Sequence, residues 1–266
     1  MNASIMKTTT IAASIAFSLA MTCIAGNPVI NCVHKKNADW NDASAWNSGE
    51  VPSQENEVAI MNGGSSAVVD NPFEAPIHVQ VGNGVSKAPD GTLTINADFQ
   101  VTSISLASVT GTPCIVEQNA GNVSLKDLSL ASMSPDSIEA TYDLKGGKLE
   151  TDTLNVGLMG PGNLNLKGTG EVVTVRRKLA IGSQAALHFT GGKPGFPTVN
   201  AGAEVTIQPG AALTVEAGGP GTKPGKFTLI QADQPLAGSF KVELAGFAAG
   251  KAKLLESEPG IVLEVK

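Results

Sequence analysis

The chain has 266 residues, of which 42% are hydrophobic, 16% charged and 4% aromatic, with 30 Gly, 15 Pro and a net charge of −6. That apolar content can bury a core and excludes a disordered chain, while the low charge and abundant Gly argue against a helical bundle. The acidic balance excludes partners recruited by bulk positive charge, so neither nucleic acid nor anionic lipid is expected.

Residues 1–25 read as a secretory signal peptide. "MNASIMKTTT" carries one Lys and no acid, "IAASIAFSLAM" is an apolar run of 11, and "TCIAG" offers Cys23 and Ala25 at the −3 and −1 positions. The run is shorter than the roughly 20 residues a helix needs to span a bilayer. No second apolar run of that length follows, so the mature chain is expected to lack a transmembrane segment and to be secreted, periplasmic or held at the cell surface. Cys32 and Cys114 remain after cleavage. An even count on an oxidising route predicts a disulfide between them, the alternative being two buried thiols.

Residues 26–60 hold both tryptophans, Trp40 and Trp46, in a chain with one Tyr and eight Phe. They precede the first strand-like run, "EVAIMNGG". Two large rings there suit an N-terminal cap, buried over the open mouth of the first coil of a stacked fold. Asp39, Asn41, Asp42 and Ser44 supply the tight turns between them. The competing reading is a pair of exposed rings for stacking on sugars. A cap of this kind requires hydrogen-bond partners for both indole N–H groups.

Residues 61–221 are short alternating runs broken by Gly, Asn or Pro, such as "TLTINADF", "NLNLKG" and "AALHFTGG". Period-two runs of this length are strands. They also repeat at longer range: Leu128, Leu154, Leu179 and Val205 occupy one place in the pattern, spaced 26, 25 and 26 residues apart. Each unit reads strand, Gly-containing turn, strand, short turn, strand. That is one coil of a right-handed parallel β-helix, whose inner face is buried only when coils stack. The alternative all-β fold is a β-sandwich or jelly roll, which needs no 25-residue self-similarity. Two residues before the aligned leucines stand Lys126, Asp152 and Arg177. In this register they form a ladder of alternating charge along the stack, read as a solvated surface row or as a groove for an acidic or sulfated glycan.

Residues 222–266 change character. Phe227, Phe240 and Phe247 fall together, and the strands look hairpin-linked around "ADQPLAG" and "ESEPG". An antiparallel closing cap is expected.

The N-terminal signature Trp40, Trp46, Gly49 and Pro52, followed by "ENEVAI", resembles the opening motif of autotransporter-passenger-like bacterial surface proteins with autotransporter-associated β-strand repeats. The ending "KFTLIQADQPLAGSF…GIVLEV" is similar to the closing segment of the same family. The resemblance touches both ends and implies a β-helix exported from a bacterium. Such passengers serve adhesion, scaffolding and several enzyme activities, so it implies little about chemistry. About 20 residues follow "SFKVELAG", where such a family would carry an outer-membrane barrel of far greater length. No translocator is therefore expected within this sequence.

Catalytic patterns are sparse. His34, His78 and His188 have no metal-ligand spacing, and no metal or other cofactor is expected. "GGPGTKPGKF" fails as a phosphate loop, because Phe227 stands where Ser or Thr would hold magnesium. A carboxylate hydrolase would need paired acids. The candidates are Asp39 with Asp42, which flank Trp40, and Asp127 with Asp152 on adjacent coils. The leading expectation is a binding or structural module of a bacterial envelope, with extracellular glycans, glycoproteins or other surface proteins as partners. The alternatives are an extracellular glycosidase, lyase or aspartic-type peptidase using those carboxylates, and a periplasmic assembly protein.

Overall fold

The computed structural model describes residues 28–33, 37–82, 91–106, 113–132, 139–168, 170–192, 195–202, 204–219, 222–257 and 259–266. Residues 1–25, read from the sequence as a signal peptide, and His34 lie outside them. The described chain is all-β, its strands stacked in parallel into a β-solenoid of about seven turns. The cause is the alternation: in Thr92–Ile95, Ala185–Thr190 and Ala212–Glu216 every second side chain is buried. Period two places one row inside, and parallel pairing with a strand one coil away continues that row along the axis. A sandwich would pair its strands antiparallel, so that alternative is set aside.

Each coil has three strand faces. One is a nine-stranded sheet running from Ala38–Asp39 to Lys241–Ala245. The other two share a 14-stranded sheet. They share it because Asn122–Leu130, Lys148–Val156 and Gly170–Ile181 run through both faces and turn a corner midway. The corner is visible as a lapse in the alternation: Leu125 and Leu128 are buried while Lys126 and Asp127 between them are exposed. Inside, Ala59, Val79, Ile104, Leu128, Leu154, Leu179 and Val205 form one continuous row. The leucine register read from the sequence is the register of the stack.

The turns are as uniform as the strands. Gly121 and Gly147 occupy the same place on successive coils, with φ of 74° and 78°. A Cβ on Gly147 would collide with the Gly121 carbonyl oxygen. Both the left-handed backbone and the close approach require glycine.

The N-terminal end is sealed as expected of a cap. Trp40 is fully buried and Trp46 nearly so. Trp40 meets Trp46, Phe99 and Phe73 edge-on, at centroid distances of 4.9, 5.1 and 5.3 Å. The Trp46 indole N–H donates to the Trp40 carbonyl at 2.9 Å. The Trp40 indole N–H, in contrast to the expectation, has no hydrogen-bond partner among the described residues. Asp39 accepts the Asn41 N–H, and Asp42 caps the short 3₁₀ turn Ala43–Ala45 by accepting from the Ser44 N–H and hydroxyl.

At the C-terminal end the antiparallel element is smaller than "ADQPLAG" suggests. Gly225–Ala232 pairs in parallel with Pro197–Ala201, and Lys241–Ala245 in parallel with Ala212–Glu216, so this stretch lays down one further coil. Only Ala252–Ser257 and Gly260–Val265 fold antiparallel, as a hairpin around "ESEPG" on the edge of Gly225–Ala232. Phe227 and Phe247 pack on Phe196, at 5.3 and 6.2 Å between centroids. Phe240 packs separately against the core.

The expected Cys32–Cys114 bridge is not present; both side chains are buried, each within its own coil. The Cys32 sulfur lies 4.0 Å from the Ser66 carbonyl. From Ser66 the stack runs through Thr92 to Ile115, so Cys114 sits two rungs further on. Two rungs are about 10 Å, beyond the ~6.8 Å between Cα atoms that a disulfide allows.

Candidate functional site: a groove along one corner

The corner between the two faces of the 14-stranded sheet carries a groove of about 690 Å³. Successive coils contribute to it in turn. Glu74 and Pro76 come from one coil, Gln100 and Thr102 from the next, Ser124 and Lys126 from the third. Asp152 and Arg176 close its far end. The groove therefore runs along the stacking axis across five coils. At about 4.8 Å per rung, four intervals give it a length of about 19 Å.

Its residues are held by the scaffold. The buried Thr151 hydroxyl lies within hydrogen-bond distance of two corner carbonyls, Lys126 at 3.0 Å and Thr153 at 2.9 Å. That hydroxyl ties one coil's corner to the next. On the groove wall the Gln100 amide donates to Glu74 at 2.8 Å.

Lys126, Asp152 and Arg177 do meet at this corner, with one change. Val175 pairs with Thr151 and Lys178 with Thr153, so two residues, Arg176 and Arg177, stand opposite Asp152 alone. This is a β-bulge, which leaves one extra residue on the bulged strand. Arg176 is the better placed of the two. It reaches Asp152 at 3.3 Å and Glu150 at 2.7 Å, while Arg177 stands 3.7 Å from Asp152 with its side chain 78% exposed. The Asp152 carboxylate thus turns to the arginines. Among the described residues no carboxylate lies within ion-pair distance of the Lys126 ammonium.

The other acids separate. Asp127 is on the coil before Asp152 but one position on, pairing with Ser103 and Thr153 rather than with Asp152. Asp39 and Asp42 belong to the N-terminal cap and hold its turns. An aspartate paired with two guanidinium groups is engaged as an ion-pair partner, which suits an electrostatic or positioning role better than that of a general acid.

Beside the groove lies a pair that sequence spacing did not single out. His78, Ser103 and Asp127 occupy successive rungs on the outer side of the adjoining face. His78 Nδ1 and the Ser103 hydroxyl are 2.8 Å apart. Burial holds the His78 pKa below its ordinary 6.5, against the pull of Asp127 and with the push of Lys126. The imidazole is therefore neutral at pH 7. The 25-residue separation of His78 and Ser103 is one coil, so the repeat length was the signal that could have joined them.

Among the described residues no group of three or more His, Cys, Asp or Glu side chains could hold a metal ion, and no helix is long and apolar enough to cross a membrane. No protein family, curated protein or solved structure matches this chain.

Proposed function

We propose that this protein is an exported bacterial surface module, of the autotransporter-passenger-like kind, that binds a linear polar polymer along its corner groove. The observation that carries this reading is the lining: each of five successive coils supplies polar or charged side chains to one continuous, axis-parallel trough. The repeat of the scaffold, about 4.8 Å, is comparable to the length of a sugar unit in an extended glycan. Hydroxyl and amide groups at Gln100, Thr102 and Ser124 suit a polyhydroxylated chain. Lys126 suits a carboxylate or sulfate on it, as in uronic-acid polymers or sulfated mucin-type glycoproteins. Strands hold these groups in place before binding, so little ordering cost opposes association. The signal-peptide pattern and the resemblance of both ends to exported passengers support a location outside the cytoplasm.

The test is co-sedimentation of the chain with acidic polysaccharides and mucins. Binding is expected, weakened about tenfold by Lys126→Ala, the loss of one charge-assisted contact, and weakened by salt. Equal binding by wild type and the Lys126→Ala, Arg176→Ala double variant would remove the groove from the account.

A further inference from the structure

The geometry points to a second, chemical property of this corner: Ser103 is a nucleophile activated by His78, placed to cleave ester-linked acyl groups on a polymer lying in the groove. This deepens the groove reading, because the groove is what would bring the substrate.

Four observations carry it. First, the hydroxyl and the imidazole are in contact, 2.8 Å from Ser103 Oγ to His78 Nδ1, the reach a general base needs. Second, the two residues are held by parallel rungs, His78 paired to Ser103 in register, so the contact does not depend on a loop. Third, Thr102 lines the groove and Ser103 is the next residue, which sets the nucleophile at the groove rim. Fourth, the charges around the pair suit acyl transfer. Lys126 lines the same groove and acts on His78 from close by, where it can offset the negative charge of a tetrahedral oxyanion. Asp127, on the rung after Ser103, offsets the positive charge that His78 acquires. The neutral imidazole has a lone pair to accept the proton.

The reaction balances with water as the only co-reactant. The Ser103 oxygen bonds to the ester carbonyl carbon as its proton passes to His78 Nδ1. The tetrahedral intermediate collapses, the bond to the sugar oxygen breaks, and His78 returns the proton to that oxygen. Water then attacks the acyl-serine with His78 again taking a proton; the bond to Ser103 Oγ breaks, His78 passes that proton to the serine oxygen, and the carboxylic acid is released with Ser103 and neutral His78 restored. Esters fit this site better than amides, since an alkoxide needs less help to leave than an amine anion does. The substrate class is an O-acylated glycan.

The experiment uses a fluorophosphonate probe, whose fluoride leaves as the serine oxygen bonds to phosphorus. Labelled protein is digested and the modified residue mapped by mass. Ser105 and Ser129 lie on the same outer face, two residues beyond Ser103 and Asp127, and Ser105 pairs with Gln80 rather than with a histidine. They serve as internal controls. The expected result is a label on Ser103 and not on Ser105 or Ser129, slowed at least 100-fold in His78→Gln and lost in Ser103→Ala. Absence of label on Ser103, equal label on Ser105 or Ser129, or an undiminished rate in a folded His78→Gln protein would overturn the assignment. Should His78→Gln fail to fold, the wild-type map and Ser103→Ala decide alone. The probe is small and needs no groove, so this test can fail while polymer binding stands, or succeed while it falls.

Discussion

The interior holds one polar pair whose removal has a calculable cost. Gln118 and Tyr142 are both fully buried, one coil apart on the nine-stranded sheet. The Tyr142 hydroxyl donates to Gln118 Oε1 at 2.8 Å. The Gln118 amide nitrogen donates to the carbonyls of Gly121 and Lys148, each at 2.9 Å. The amide cannot flip, because its oxygen would then face two carbonyls. Burial also pushes the Tyr142 pKa far upward, so the hydroxyl always has its proton to give. Tyr142→Phe therefore leaves Oε1 buried with no donor, at a cost of about 1–3 kcal/mol. Gln118→Leu alone orphans the hydroxyl and removes the amide from both carbonyls, so its cost is at least as large. In the double variant the hydroxyl and Oε1 are both gone, and the loss is smaller than the sum of the two by about 1 kcal/mol or more. Urea denaturation followed by far-ultraviolet circular dichroism measures all three. An unchanged midpoint for Tyr142→Phe, or strict additivity in the double variant, would mean that the pair does not act as described.

Trp40→Ala opens the capped end and is expected to cost about 3–5 kcal/mol, read as a drop in thermal midpoint; a loss below 1 kcal/mol would contradict the packing assigned to it. Gly147→Ala meets both a left-handed φ and the Gly121 carbonyl, so it should destabilise by more than the ~1 kcal/mol of an ordinary turn substitution, again by urea titration. Arg176→Ala removes two exposed ion pairs and should shift stability by no more than about 1 kcal/mol, which double-mutant cycles with Glu150→Ala and Asp152→Ala would check. His78 should titrate below 6.5 when followed by nuclear magnetic resonance. Because its folded pKa is depressed, its contribution to stability is whole above 6.5 and fades as pH falls through the lower folded value. A midpoint at or above 6.5 would refute the burial given for it.

Much of this was legible in the residues because a stacked fold writes its period into the chain. Leu128, Leu154, Leu179 and Val205 repeat because each fills the same place above the last, and the alternation around them is the inside–outside pattern itself. Tryptophans too large for a surface in so aromatic-poor a chain marked the end that needed sealing. What was not legible lies where one coil departs from the next. Counting back from leucine arrives at Arg177, whereas the bulge gives Arg176 the closer ion pairs, and no composition signals a bulge. Cys32 and Cys114 looked like a pair because spacing along the chain carries no height along the axis. "ADQPLAG" has the residues of a hairpin turn, yet the flanking strands are claimed by parallel neighbours one coil back. His78 and Ser103 escaped because a two-residue site split across coils has no local motif.

The parallel ladders have a mechanical consequence. The strand Val29–Asn31 stands at one end of the 14-stranded sheet and the closing hairpin at the other, and the hydrogen bonds between coils run along the line joining them. Tension applied between the two ends pulls on these bonds lengthwise, a few at a time, rather than shearing a whole face at once. The molecule should then yield like an unwinding spool. Each coil of about 25 residues would release roughly 80 Å of chain, and the coils behind it would keep their shape. Tension between a tethered end and a ligand seated across five coils of the corner would be resisted by the groove coils together, and the coils outside it would lengthen first.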